Sequence, residues 1–120
     1  MFLRYTRLKF SLIFVNIFVM NTPEKSNVRY IVFKDDDTWY AVALEFNIVE
    51  SGDDPKIAMF NLFEAVTGYV ESCQKIKGSR YSSLNQKADS EYEKLWAIIK
   101  DGKSKIVSPY QIYSYGHQLI

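Results

Sequence analysis

The run Thr38-Trp39-Tyr40-Ala41-Val42-Ala43-Leu44-Glu45-Phe46 constrains this chain most, because it is apolar on both sides of an extended backbone. Tyr40, Val42, Leu44 and Phe46 alternate onto one face, and Trp39, Ala41, Ala43 and Glu45 onto the other. Such a strand must be covered on both faces. One helix supplies one cover. The second comes either from the C-terminal part of the chain or from another protein, and the pattern leaves both readings open.

The neighbouring residues build a sheet around that run. Arg29-Tyr30-Ile31-Val32-Phe33-Lys34 is rich in β-branched and aromatic residues and reads as a partner strand. Asp35-Asp36-Asp37 between the two suits a hairpin turn, since short acidic side chains bond their own backbone and tolerate left-handed geometry. Ile48-Val49-Glu50-Ser51 is a short third strand ended by Gly52. From Pro55 to about Lys77, Ala58, Leu62, Ala65, Val66, Tyr69, Cys73 and Ile76 recur at helical spacing, with Met59, Phe63 and Val70 widening the stripe. Asp54 is the expected N-cap and Pro55 the first helical residue. Gly68 inside this helix is unfavourable by about 1 kcal/mol relative to alanine, and close packing on a strand is the expected compensation.

These residues resemble the N-terminal domain of HicB-like antitoxins. The order of strand, acidic turn, strand, short strand, Gly52-Asp53 and a helix carrying Ala58 and the pair Glu64-Ala65 follows that family's pattern over residues 28–76. One departure stands out. The family's Pro-x-x-x-Gly-Cys stretch after the second strand is replaced here by Leu44-Glu45-Phe46-Asn47-Ile48. The resemblance implies a partial RNase H-like fold: three antiparallel strands, a main helix on one face and a returning fourth strand. It also implies no nuclease activity, and a small RNase toxin of the HicA-like kind as the protein partner.

Composition sets further bounds. A chain of 120 residues with 48% hydrophobic and 16% aromatic content has enough apolar material for one core. With 15 basic and 14 acidic residues the net charge is +1, which carries no global footprint for nucleic acid. Cys73 is the one cysteine and falls on the buried helix stripe, where it reads as a small core residue in a reducing compartment. His117 is the one histidine, so Cys73 and His117 are the sole Cys–His nucleophile composition permits. Asp35, Asp36 and Asp37 sit on a turn tip and the first strand offers no carboxylate, so an RNase H-type pair of metals lacks its ligands. No cofactor or metal site is expected, and no catalytic residue.

Toward the ends the pattern changes. Residues 1–20 hold Arg4, Arg7 and Lys9 and then an apolar run from Phe10 to Met20. That reads either as a signal or membrane anchor, or as an upstream extension with Met20 the start; a start at Met20 makes the product cytoplasmic. Residues 21–27 read as a polar linker, and residues 28–118 as the single domain. After a loop over 78–87, Ser90 and Glu93 form a capping box for a helix whose buried side is Tyr92, Leu95, Trp96 and Ile99. Lys105-Ile106-Val107 is a short strand, and Tyr110 to Tyr115 is the returning strand, ended by Gly116, with Tyr110, Ile112 and Ser114 on one face. The residues after the first helix show no helix-turn-helix or ribbon-helix-helix pattern, so self-contained operator binding is not expected.

The fold class is therefore α+β, and the function a non-catalytic protein-binding domain. Its expected interface is the sheet face of Trp39, Ala41 and Ala43 with Glu45 and Glu50 at the rim, where acids would steer a basic partner. A homo-oligomer through the same face is the alternative. A weaker alternative is RNA contact by Lys75, Lys77, Arg80 and Lys87 around Tyr81 together with the tyrosine strand. Removing the helix cap by Asp54→Ala is expected to lower stability by about 1 kcal/mol, read from urea unfolding at pH 7.

Overall fold

The computed structural model describes residues 20–76, 81–101 and 110–120. It is an α+β fold with strands β1 (Asn27–Asp35), β2 (Thr38–Ala43), β3 (Ile48–Gly52) and β4 (Gln111–Leu119), and helices α1 (Pro55–Lys75) and α2 (Ser90–Asp101). The antiparallel sheet has the order β3-β2-β1-β4. Lys105-Ile106-Val107, the leader before Met20, and Lys77 and Arg80 lie outside the described residues.

The hairpin forms as its sequence requires. Asp35 pairs with Thr38, and Asp36 between them adopts φ 55°, a conformation aspartate tolerates better than most residues. Asp36 and Asp37 point to solvent. The second strand is shorter than expected. It stops at Ala43, and Leu44–Phe46 make a 3-10 turn closed by Asn47 at φ 52°. That turn sends Leu44 into one core and Phe46 into the other, and leaves Glu45 between them.

Both faces of the hairpin are covered by the chain itself. On one side α1 packs Ala58, Leu62, Val66, Val70 and Cys73 onto Val28, Val32, Ala41, Ala43 and Phe46. On the other, Leu95 and Trp96 of α2 and Ala88 before it pack onto Ile31, Phe33, Val42 and Leu44. The alanines of β2 lie under α1 because a small side chain lets the helix come close. The segment after α1 rounds the end of the sheet between Leu84, in the first core, and Ala88, in the second.

Helix ends follow local chemistry, with one correction. The Asp54 carboxylate accepts from the Ile57 N–H at 3.0 Å and Pro55 opens α1, as expected. At α2 the cap is Asp89, which accepts from the Glu91 N–H through its side chain and from the Glu93 N–H through its carbonyl. Ser90 and Glu93 therefore form no capping box, because Glu93 is drawn to Arg29 instead. Ile76, expected in the buried stripe, is exposed beyond the end of α1.

Three further expectations fail, for reasons of hydrogen bonding, space and register. Residues 21–27 are no free linker. Asn21 is 5% exposed, and its side-chain amide donates to the Leu84 carbonyl at 2.9 Å while its oxygen accepts from the Asn27 N–H at 2.8 Å. β4 runs through Gly116 to Leu119, because a bare Cα there leaves room for the Tyr30 ring. A register shift between Val32 and Phe33 sets Ile112 opposite Phe33 and Ser114 opposite Val32, so Ile112 and Ser114 do not share a face.

Gly52 is a point of close approach between sheet and helix. A Cβ there would sit 2.7 Å from the Ala58 nitrogen and 2.9 Å from Ile57 Cγ2, so backbone would have to move. Gly52→Ala is expected to destabilise the fold by about 1–3 kcal/mol, measured as a lowered urea midpoint with unchanged slope.

Candidate functional site

The interface expected from the sequence is not assembled. Ala41 and Ala43 are 0% exposed under α1, and Trp39 packs against the same core. Glu50 lies opposite Ala41 on that covered side, at the edge strand β3. Glu45 is turned to the other side of the chain's own structure, where it holds Arg29. The five residues do not share a surface a partner could reach. The physical reason is that β2 is central and both helices are spent on its two faces.

Arg29 organises the polar part of the second face. Its Nε donates to Glu45 Oε2 at 2.5 Å, and the Arg29 N–H donates to Glu45 Oε1 at 2.7 Å. The guanidinium fork then meets both Glu93 oxygens, at 2.7 and 3.0 Å. Its flat face lies 5.5 Å from the centre of the Trp96 ring. One arginine thereby fastens β1 to the 3-10 turn and to α2. The hydrogen bonds from Arg29 hold the Glu93 carboxyl below the usual carboxylate range. Sequence reading missed this because Glu93 had a local role available, as half of a capping box.

The remaining chemical groups stay apart. Cys73 is buried in the α1 core with its sulfur 3.7 Å from Ser83 Oγ. His117 sits on the α2 side, edge-on to Trp96 at 5.5 Å and beside Asn27 Oδ1 at 3.2 Å. Cys73 and His117 thus belong to opposite layers. Among the described residues no three His, Cys, Asp or Glu side chains converge as metal ligands, and no helix is long and apolar enough to cross a membrane. Of the basic segment, Lys87 sits at the Asn47 corner, since its carbonyl accepts from Asn47 Nδ2. Tyr113 stacks edge-on with Trp39 toward the hairpin turn, away from that corner.

Among the described residues, two of the open surfaces carry exposed large apolar side chains close together. The first is the outer side of α1. There Phe60, Glu64, Thr67, Gly68 and Glu71 recur at helical spacing and, with Phe63, line a shallow hollow. Phe60 is 60% exposed, and Ile57 one turn earlier is also open to solvent. A Cβ at Gly68 would meet nothing within 4 Å, so the expected packing of this glycine against a strand does not occur. The second surface is the outer edge of β4, with Tyr113, Tyr115 and Leu119 exposed.

Comparison with family models, with curated proteins and with solved structures gives no match.

The Arg29 cluster predicts an acid-sensitive fold. Because the folded pKa of Glu93 is depressed, its contribution is complete above the unfolded value and fades as pH falls through the folded one. Glu93→Gln is expected to be less stable than the parent at pH 7 by roughly 0.5–1 kcal/mol, a modest figure because the side chain is partly solvated. That difference should shrink below about pH 4, as thermal melts across pH will register.

Proposed function

We propose that this chain is a non-catalytic, HicB-like protein-binding domain that holds a small basic protein on the outer side of α1, as an antitoxin holds a HicA-like RNase toxin. The observation that carries the reading is the hollow over Gly68. It joins an exposed phenylalanine to two carboxylates, Glu64 and Glu71, on one helix face. An aromatic anchor ringed by charge is the usual make-up of a binding hot spot, and the acids favour a cationic partner.

Further support comes from the cost of Gly68. Mid-helix glycine is unfavourable by about 1 kcal/mol, and nothing within the fold requires one there. A residue kept at the expense of stability, with no internal neighbour, fits a place where another molecule's side chain enters. Two residues of the family pattern are also close in space, since a Cβ on Gly52 would sit 2.7 Å from the Ala58 nitrogen. Outside residues 1–19, which hold Arg4, Arg7 and Lys9 and no acid, the chain has 12 basic against 14 acidic residues, a mildly acidic body suited to a basic partner.

The test is co-purification and calorimetry with the small protein encoded beside it in its native host. Phe60→Ser is expected to weaken binding at least tenfold, about 1.4 kcal/mol, without lowering the melting temperature. Gly68→Ala is expected to stabilise the free protein by roughly 0.5–1 kcal/mol and to weaken binding by filling the hollow. If the neighbouring protein binds the parent and both variants equally, the α1 surface is not the site. If it does not bind the parent, the antitoxin reading fails.

A further inference from the structure

We infer that β4 pairs with β4 of a second copy of this chain, antiparallel across a two-fold axis, to make one continuous sheet. This surface is separate from the α1 hollow and does not depend on the reading of that hollow.

The backbone directions on β4 follow from one pair. Ser26 and Ile120 exchange both hydrogen bonds, the Ser26 N–H donating at 3.3 Å and the Ile120 N–H at 2.9 Å. In an antiparallel ladder such bonded pairs recur at every second residue. The register is unbroken from Asn27↔Leu119 back to Val32↔Ser114. Gln118, Gly116 and Ser114 therefore turn their backbone groups inward to β1. Tyr115, His117 and Leu119 turn theirs outward, toward the open edge.

Among the described residues, that edge carries neither charge nor proline of its own: Gln111–Leu119 contains no lysine, arginine, acid or proline. Its one irregularity, at Tyr113, leaves the stretch from Ser114 onward regular. Tyr115 is 47% exposed and Leu119 76%. The opposite edge, β3, is defended. Asn61 Nδ2 donates to the Ser51 carbonyl at 3.1 Å, Glu50 stands on the strand, and Asp53 and Asp54 follow at once. Among the described residues, one edge of this sheet is blunted by charge and the longer one carries none.

A second copy fits that edge on charge and on side chains. An uncharged strand laid against itself brings no like charges together, which an acidic or basic strand could not avoid. Pairing centred on Gly116 sets Tyr115 opposite His117 of the second copy, as a bonded pair, twice over. Both rings lie on the α2 side, where each already meets Trp96 edge-on, at 5.8 and 5.5 Å. The aromatic row of one copy then continues into the other. The axis stands perpendicular to the sheet, so both α1 layers stay on one side and both α2 layers on the other.

Light scattering on the size-excluded full chain is expected to give twice the 14.0 kDa chain mass. His117→Pro removes one outward N–H and leaves the bonds to β1 intact, so the mass should fall by half with an unchanged circular dichroism spectrum. Gln118→Pro removes an inward N–H and should lower the melting temperature instead. Tyr115→Lys, which sets like charges near one another at the seam, is the second route to a folded monomer. A monomeric parent at tens of micromolar overturns the inference, including the case in which the edge takes a strand from a different protein. A dimer that survives both His117→Pro and Tyr115→Lys, each correctly folded, overturns it as well.

Discussion

Everything in this fold answers to the hairpin of β1 and β2, whose side chains are apolar above and below the sheet. Leaving either face in water would forgo the burial of Ile31, Phe33, Val42 and Leu44 on one side, or of Val28, Val32, Ala41 and Ala43 on the other. Fully burying a valine, leucine, isoleucine or phenylalanine side chain is worth about 1.5–3 kcal/mol, so leaving either face open would forgo several such contributions. The helix after β3 covers the face with the small residues, where it can approach closely. The other face takes larger side chains and a shorter helix bearing Trp96.

Covering both faces forces the chain to pass round the sheet, and that passage is where the polar groups are gathered. Gln86 ties it down: its Nε2 donates to the Tyr69 hydroxyl at 3.0 Å and to the Ser83 carbonyl at 2.9 Å, and its N–H to the Glu45 carbonyl at 2.8 Å. Asn21 and Asn85 brace it from the other side, the Asn21 N–H donating to Asn85 Oδ1 at 2.8 Å. Arg29 then locks α2 in place through two carboxylates far apart in sequence. The same segment that looks like a loop by composition is thus held by the hydrogen-bonding needs of both layers.

With both faces used internally, the hairpin faces are closed to a partner, and the outside of a helix and the edges of the sheet stay accessible among the described residues. The two proposed binding surfaces accordingly lie on α1 and β4 and not at Trp39, Ala41, Ala43, Glu45 and Glu50. This placement also separates two tasks. A helix face with an aromatic and two acids discriminates by charge and shape, whereas a bare strand edge binds through backbone groups and is selective chiefly against charge. One surface suits a different protein, the other a copy of the same one.

Much was legible from local pattern. The hairpin, its acidic turn, the Asp54-Pro55 start of α1, the stripe from Ala58 to Cys73 and the buried side of α2 all follow from periodicity and capping, which act within a few residues. The identity of the second cover was not legible, because alternation says that a face is buried and not by what. Nor were the Arg29 cluster, the anchoring of Asn21 or the room Gly116 leaves for Tyr30, since each joins residues far apart along the chain. Glu93 shows the difference most plainly: a nearby serine made it a capping residue on paper, and a distant arginine, offering a charged two-pronged bond, took it instead. Short-range rules settled which elements form; long-range competition for partners decided which surfaces were left over.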